Sequence, residues 1–179
     1  MMPEASQPVH APRWPLGIAL ALVVALVVVV LVAASMVRHQ APGPLGLAAV
    51  PAPAADSTEC TRLLGALPQE LDGAELGVLR RRQLRAPGPA GVAGWGEPPV
   101  VLRCGLERPP ELTATSRLLA ISGVEFLEVP SSGMSTWVAV DRPVYIVVAL
   151  PPRSGSGPLQ QIATVILHTL PQQKVDIPR

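Results

Sequence analysis

The hydrophobic pattern divides the chain into three stretches. From Leu16 to Val37 the run LGIALALVVALVVVVLVAASMV is apolar and carries no charge. At 1.5 Å per residue a helix over it would reach roughly 33 Å, enough to cross the hydrocarbon core of a bilayer. From Gln40 to Ala55 the sequence QAPGPLGLAAVPAPAA has neither a helical nor an alternating period. Its Pro, Ala and Gly content predicts a semi-extended linker, taken as 38–56. Beyond it the periods of folded elements set in, and one small domain is expected over 57–171, with a loose tail at 172–179.

Within that domain Asp56 stands as N-cap three residues ahead of Glu59, and Pro68 marks where the first helix must already have ended. Cys60, Leu63, Leu64 and Leu67 then share one stripe. Val100–Cys104 reads as a strand with Val100, Leu102 and Cys104 on one face. Further strands are expected at Val124–Val129, Thr136–Val140 and Val144–Leu150, with turns at Ser131-Ser132-Gly133 and Asp141-Arg142-Pro143. In the last strand Val144, Ile146, Val148 and Leu150 line one face while Tyr145, Val147 and Ala149 keep the other apolar, which predicts a central position. A final helix over Pro158–Leu170 carries Leu159, Ile162, Ala163, Ile166 and Leu170 on its stripe. The fold class expected is α+β: an N-terminal transmembrane helix, then a mainly antiparallel sheet covered by an N-terminal and a C-terminal helix.

Composition narrows the setting. The formal charge is +1 and the signs are interspersed, so nothing draws the chain to nucleic acid. Thirteen arginines against one lysine, with abundant Ala, Gly and Pro, fit a GC-rich bacterial genome. With one Tyr, one Phe and three Trp the core must be mainly aliphatic, which makes a crosslink useful. The apolar run is longer than the ~7–15 residues of a signal-peptide core, so an uncleaved anchor is expected, the alternative being cleavage near Ser35. Arg13 nearly balances Arg38 and His39 across the run, and charge leaves the orientation open. The short 1–15 tail and a cysteine pair suited to an oxidising space place the N-terminus in the cytoplasm and the domain outside.

Cys60 and Cys104 fall on buried faces by two different periodicities, and a disulfide between them is expected, the alternative being two buried thiols. No partnering histidine accompanies them, so no metal set is expected. No catalytic residue and no cofactor is assigned. A Ser-His-Asp set from His168, Asp141 and one of Ser131, Ser132 or Ser135 lacks a nucleophile-elbow signature, and His168 falls opposite its helix's apolar stripe. Glu97, Glu107, Glu111, Glu125, Glu128 and Asp141 supply carboxylates from which a hydrolytic pair could be drawn. The candidate binding surface is Trp95 with Arg80, Arg81, Arg82 and Arg85: an indole beside rigid prolines suited to stacking, the favoured alternative being a Trp that covers the sheet while Gly and Pro set the turn, and a basic cluster suited to anionic lipid or acidic wall polymer, the favoured alternative being a solvated loop.

The run AGWGEPPVVLRCG from Ala93 to Gly105, the following GVEFLEV, the helix with Cys60 ahead of Leu63 and Leu64, and the apolar segment in front resemble an actinobacterial membrane-protein family known as domain of unknown function 3515. The likeness spans nearly the whole chain, and WG-x-PP followed by LRCG is its most specific element. Phe126 stands where a Trp is expected in many relatives. The resemblance implies an envelope protein with its two cysteines in register, and assigns no activity. The reading is a non-enzymatic, membrane-anchored binding or accessory module of the cell envelope, its partners the bilayer through 16–37 and an envelope protein, anionic lipid or wall polymer. The alternative is a hydrolase of envelope material acting through acidic residues such as Glu97 and Asp141.

Overall fold

The computed structural model describes residues 14–38 and 43–177. It forms two units, Met1–Ala41 and Pro42–Arg179. The first contains helix α1, Trp14–Arg38, 25 residues long. Its side chains are described from 21 to 33, and these are exposed. Among the residues so described no helix is long and apolar enough to cross a membrane. The side chains of 16–20 and 34–37, the ends of the expected span, lie outside the described residues.

The second unit is α+β, with a mainly antiparallel sheet. Its first helix, α2, is Thr58–Ala66, one residue shorter at the start than the pattern suggested. The cap is Ser57 rather than Asp56: the extended backbone of Ser57 (φ −64°, ψ 157°) lets its Oγ accept the Cys60 N–H. The helix ends because Leu67 precedes Pro68 and is driven to an extended conformation. Strands β1 (Glu70–Asp72) and β2 (Val78–Arg80) form a small antiparallel hairpin.

The main sheet has six strands, β3 (Val92–Trp95), β4 (Val100–Leu106), β5 (Leu118–Ile121), β6 (Val124–Val129), β7 (Ser135–Ala139) and β8 (Tyr145–Leu150). Their order is β3-β4-β8-β7-β6-β5, antiparallel at every step. The doubly apolar strand β8 lies inside, between β4 and β7, as its pattern predicts. The last helix, α3, is Gly157–Thr169.

The period of two gives each face its own core. Val100, Leu102, Cys104, Phe126, Ile146 and Val148 bury against Cys60 and Leu63 of α2 and Leu159, Ile162 and Ile166 of α3. On the other face Leu127, Val138 and Val140 are covered by Leu112, from the connection that carries the chain from β4 to the far edge at β5.

Two segments expected to be loose are packed down. In the expected linker, Leu45 is buried, makes a parallel bridge with Leu84 and accepts the Arg85 N–H, while the Ala54 N–H donates to Gly105 O at 3.0 Å. The crossing requires glycine twice. A Cβ on Gly94 would sit 2.4 Å from Leu45 Cδ2, and one on Gly105, at φ +83°, would fall 2.3 Å from the Ala54 carbonyl carbon. In the expected tail, the Gln173 N–H donates to Asp141 O at 2.8 Å and Val175 packs on the second core. Both segments find partners far away in sequence, which local composition does not record.

Candidate binding groove

Cys60 and Cys104 form a disulfide, with Cα atoms 5.7 Å apart and both residues fully buried. It joins α2 to β4 on the helix-covered face, where the two periodicities place the thiols. The first candidate site lies beside it and is taken up by the fold. Trp95 is 0 % exposed and its Nε1–H donates to Pro68 O at 2.9 Å, so it presents no face to a ligand. Of the two readings of Trp95, the indole that covers the sheet is the one found and the stacking platform is not, because Trp95 pairs with Val100 in register and shares the face of the first core.

The arginine cluster is likewise dispersed. The Arg81 guanidinium stacks 5.8 Å from the Trp95 ring centre and donates to the Leu64 and Leu67 carbonyls, closing the C-terminal end of α2. Partial burial pushes its pKa below the ordinary arginine value. Arg82 donates to Gly96 O and Gly43 O and pairs with Glu97. Arg80 is exposed and pairs with Glu70 at 3.3 Å. Arg85 is exposed, with its guanidinium near Gly46. Strand alternation and three different sets of partners keep these groups from forming a single basic patch.

Glu97 and Asp141, the two carboxylates named for hydrolysis, do not converge. Glu97 lies in the β3–β4 turn, level with the C-terminal end of β8, whereas Asp141 precedes the start of β8. Strand rise puts them on the order of 20 Å or more apart, beyond the ~5–10 Å of a paired-carboxylate site. Asp141 is also sealed: its carboxylate pairs with the buried Arg142 at 2.7 Å, and Arg142 donates further to Asp141 O and Gly123 O. The turn expected at Asp141-Arg142-Pro143 does join β7 to β8, and its first two residues form an interior charge pair. His168 is exposed, as its place on the helix predicts. Among the described residues no group of His, Cys, Asp and Glu could hold a metal ion.

An open groove of about 740 Å³ occurs elsewhere, on the helix-facing side of the sheet where α3 begins. Leu119 and Ile121 of β5, Trp137 of β7, Leu150 of β8 and Leu159 of α3 line it, with Met134 and Ser135 from the β6–β7 turn. Trp137 is half-buried, and its Nε1–H donates to Ser135 Oγ at 2.8 Å, which fixes the indole. Arg153 stands on the rim in a tight turn, where the Ser154 N–H donates to Pro151 O. At φ +69° it occupies a left-handed position usual for glycine, a conformation costing about 1 kcal/mol. Among the described residues no histidine lines the groove. Its chemistry is that of a binding surface: an apolar floor, one indole and one guanidinium.

The pattern of β7 missed this groove because Trp137 reads there as one more strand residue. The available signal was that, of the two tryptophans in the domain, only Trp137 closely follows a serine-rich turn, Ser131-Ser132-Gly133-Met134-Ser135.

No curated protein and no solved structure matches the chain. A family described as protein of unknown function (DUF3515) matches residues 20–175, a span that takes in the disulfide, both helices of the domain and every strand. The chain is therefore a member of the DUF3515 family.

Proposed function

We propose that the protein is a membrane-anchored, extracytoplasmic module of the bacterial cell envelope that holds a partner at the Trp137 groove and performs no covalent chemistry there. The observation that carries this reading is the pairing of two features: an uncharged apolar stretch from Leu16 to Val37 within a 25-residue helix, and a disulfide at the centre of the domain. A helix of that length reaches roughly 37 Å, and disulfides persist in oxidising compartments. The groove supports the binding role, since a mainly apolar lining brings one indole and one guanidinium to a single open surface.

A reporter active only outside the cytoplasm, fused after Arg179, should be active, and the mature chain should retain the residues before Leu16. Activity from a cytoplasmic reporter alone, or a chain beginning near Ser35, would overturn the anchored topology. For the binding role, full-length protein should sediment with isolated envelope fragments, and Trp137→Ala should weaken that association several-fold without lowering the melting temperature by more than a few degrees. Equal association of the variant would remove the groove from the function.

A further inference from the structure

The six-stranded sheet treats its two edges differently. Along β3 the chain covers itself: Arg81 bridges Trp95, the Arg82 N–H donates to Gly94 O, and the Gly96 N–H donates to Arg80 O. Along β5 no such cover exists among the described residues. The β5–β6 hairpin turns through Ser122 and Gly123, at φ 47° and 78°, the conformation of a two-residue type I′ turn. Ile121 and Val124 therefore exchange both backbone hydrogen bonds, and Leu119 and Phe126 do the same two residues back. Leu118 and Ala120 are left with their N–H and C=O groups directed away from the sheet. β6 agrees, because the carbonyl of Glu125, opposite Ala120, accepts from Val140 on the other side.

An exposed edge is ordinarily guarded by a charge, a proline or a bulge, and the strand Leu118-Leu119-Ala120-Ile121 has none of these. Leu119 is 43 % exposed, and Leu167, 42 % exposed, lies beside the hairpin tip at Gly123. We propose that β5 pairs antiparallel with β5 of a second copy of this chain, about a twofold axis through Leu119, fusing two sheets into one. In that register Leu118 of each copy faces Ala120 of the other, so every outward N–H meets an outward C=O. Leu119 meets its symmetry mate in a non-hydrogen-bonded pair, where facing Cα atoms approach to about 4.5 Å.

The edge is self-complementary in the manner a twofold interface requires, since its free groups lie one residue either side of a central position. The strand is also uncharged, and Arg117 falls opposite Ile121 of the other copy rather than opposite its own mate, so no like charges meet. A four-residue strand buries less than the roughly 1,200–2,000 Å² of a standard stable interface, which places the pairing at the weak end and calls for a covalent trap.

Leu119→Cys in the full-length chain supplies a single free thiol, because the two native cysteines are bonded to each other. Oxidation with copper phenanthroline should convert it to a disulfide-linked species of twice the chain mass, at least fivefold more than Val78→Cys, an exposed position on the β1–β2 hairpin. Arg117→Cys, two residues off the axis, should fall to the Val78→Cys level. Adding Ala120→Pro, which removes only an outward N–H, should cut the Leu119→Cys product at least fivefold with the circular dichroism unchanged. A Leu119→Cys yield no greater than that of Val78→Cys, or equal yields at 117 and 119, would overturn the pairing, and the latter comparison does not depend on the proline variant folding.

Discussion

Asp141 and Arg142 show how much a single buried group can decide. Both are sealed from solvent, and Asp141 Oδ1 and Arg142 Nε have no hydrogen-bond partner among the described residues. Removing one partner would leave a lone charge inside. Asp141→Ala should therefore cost about 3–5 kcal/mol in urea unfolding, whereas Asp141→Leu together with Arg142→Met should recover most of that loss. Tyr145 offers a second residue-level test, since it is the chain's one tyrosine and its absorbance reports one site. Burial first, then the charge of Asp176, raises its pKa above the ordinary value, with Arg108 opposing. The titration midpoint should lie above that of free tyrosine, and Asp176→Asn should bring it down. The fold favours the neutral phenol, so this contribution to stability is complete below the unfolded-state pKa and is lost as pH rises through the folded one.

Among elements, α2, α3, β4, β6, β7 and β8 are legible in the sequence, β7 with its bounds one residue earlier than its pattern suggests. Their stripes and alternations coincide with the two cores. β1, β2, β3 and β5 are not. Each has three or four residues, too few for a period to declare itself, and Gly94 and Arg80 interrupt what pattern there is. The site shows the same division. Cys60 and Cys104 were legible because they lie on patterned elements. The contacts of Trp95, Arg81 and Arg82 were not legible, because their partners, the carbonyls of Leu64, Leu67, Pro68, Gly96 and Gly43, come from other segments. The legible pair gives the element-level prediction. Intact protein should show no titratable thiol when denatured without reductant, and Cys60→Ser and Cys104→Ser should each cost roughly 2–5 kcal/mol. The double variant should lose about as much as either single one, because all three lack the same bond.

At the scale of the whole molecule the domain begins earlier than composition suggests. Leu45, Ala54 and Ala55 are part of the packed unit although the stretch around them reads as a tether. A chain starting at Gly43 should accordingly melt higher than one starting at Ser57, with the burial of Leu45 alone contributing on the order of 2 kcal/mol. Comparable melting temperatures would return 43–56 to the role of a linker.

The disulfide also makes part of the molecule a covalent ring. Between Cys60 and Cys104 lie β1, β2, β3 and the exposed Arg85-Ala86-Pro87-Gly88 loop, while the β5-to-β8 meander and α3 lie outside. Exposed loop tips of this kind are where proteases cut. A single cleavage after Arg85 would yield two fragments, one carrying the N-terminal helix, α2 and the β1–β2 hairpin and the other all six strands of the main sheet, and neither could leave the other while the bond between Cys60 and Cys104 held. Such a molecule survives nicking as one particle and comes apart only under reduction.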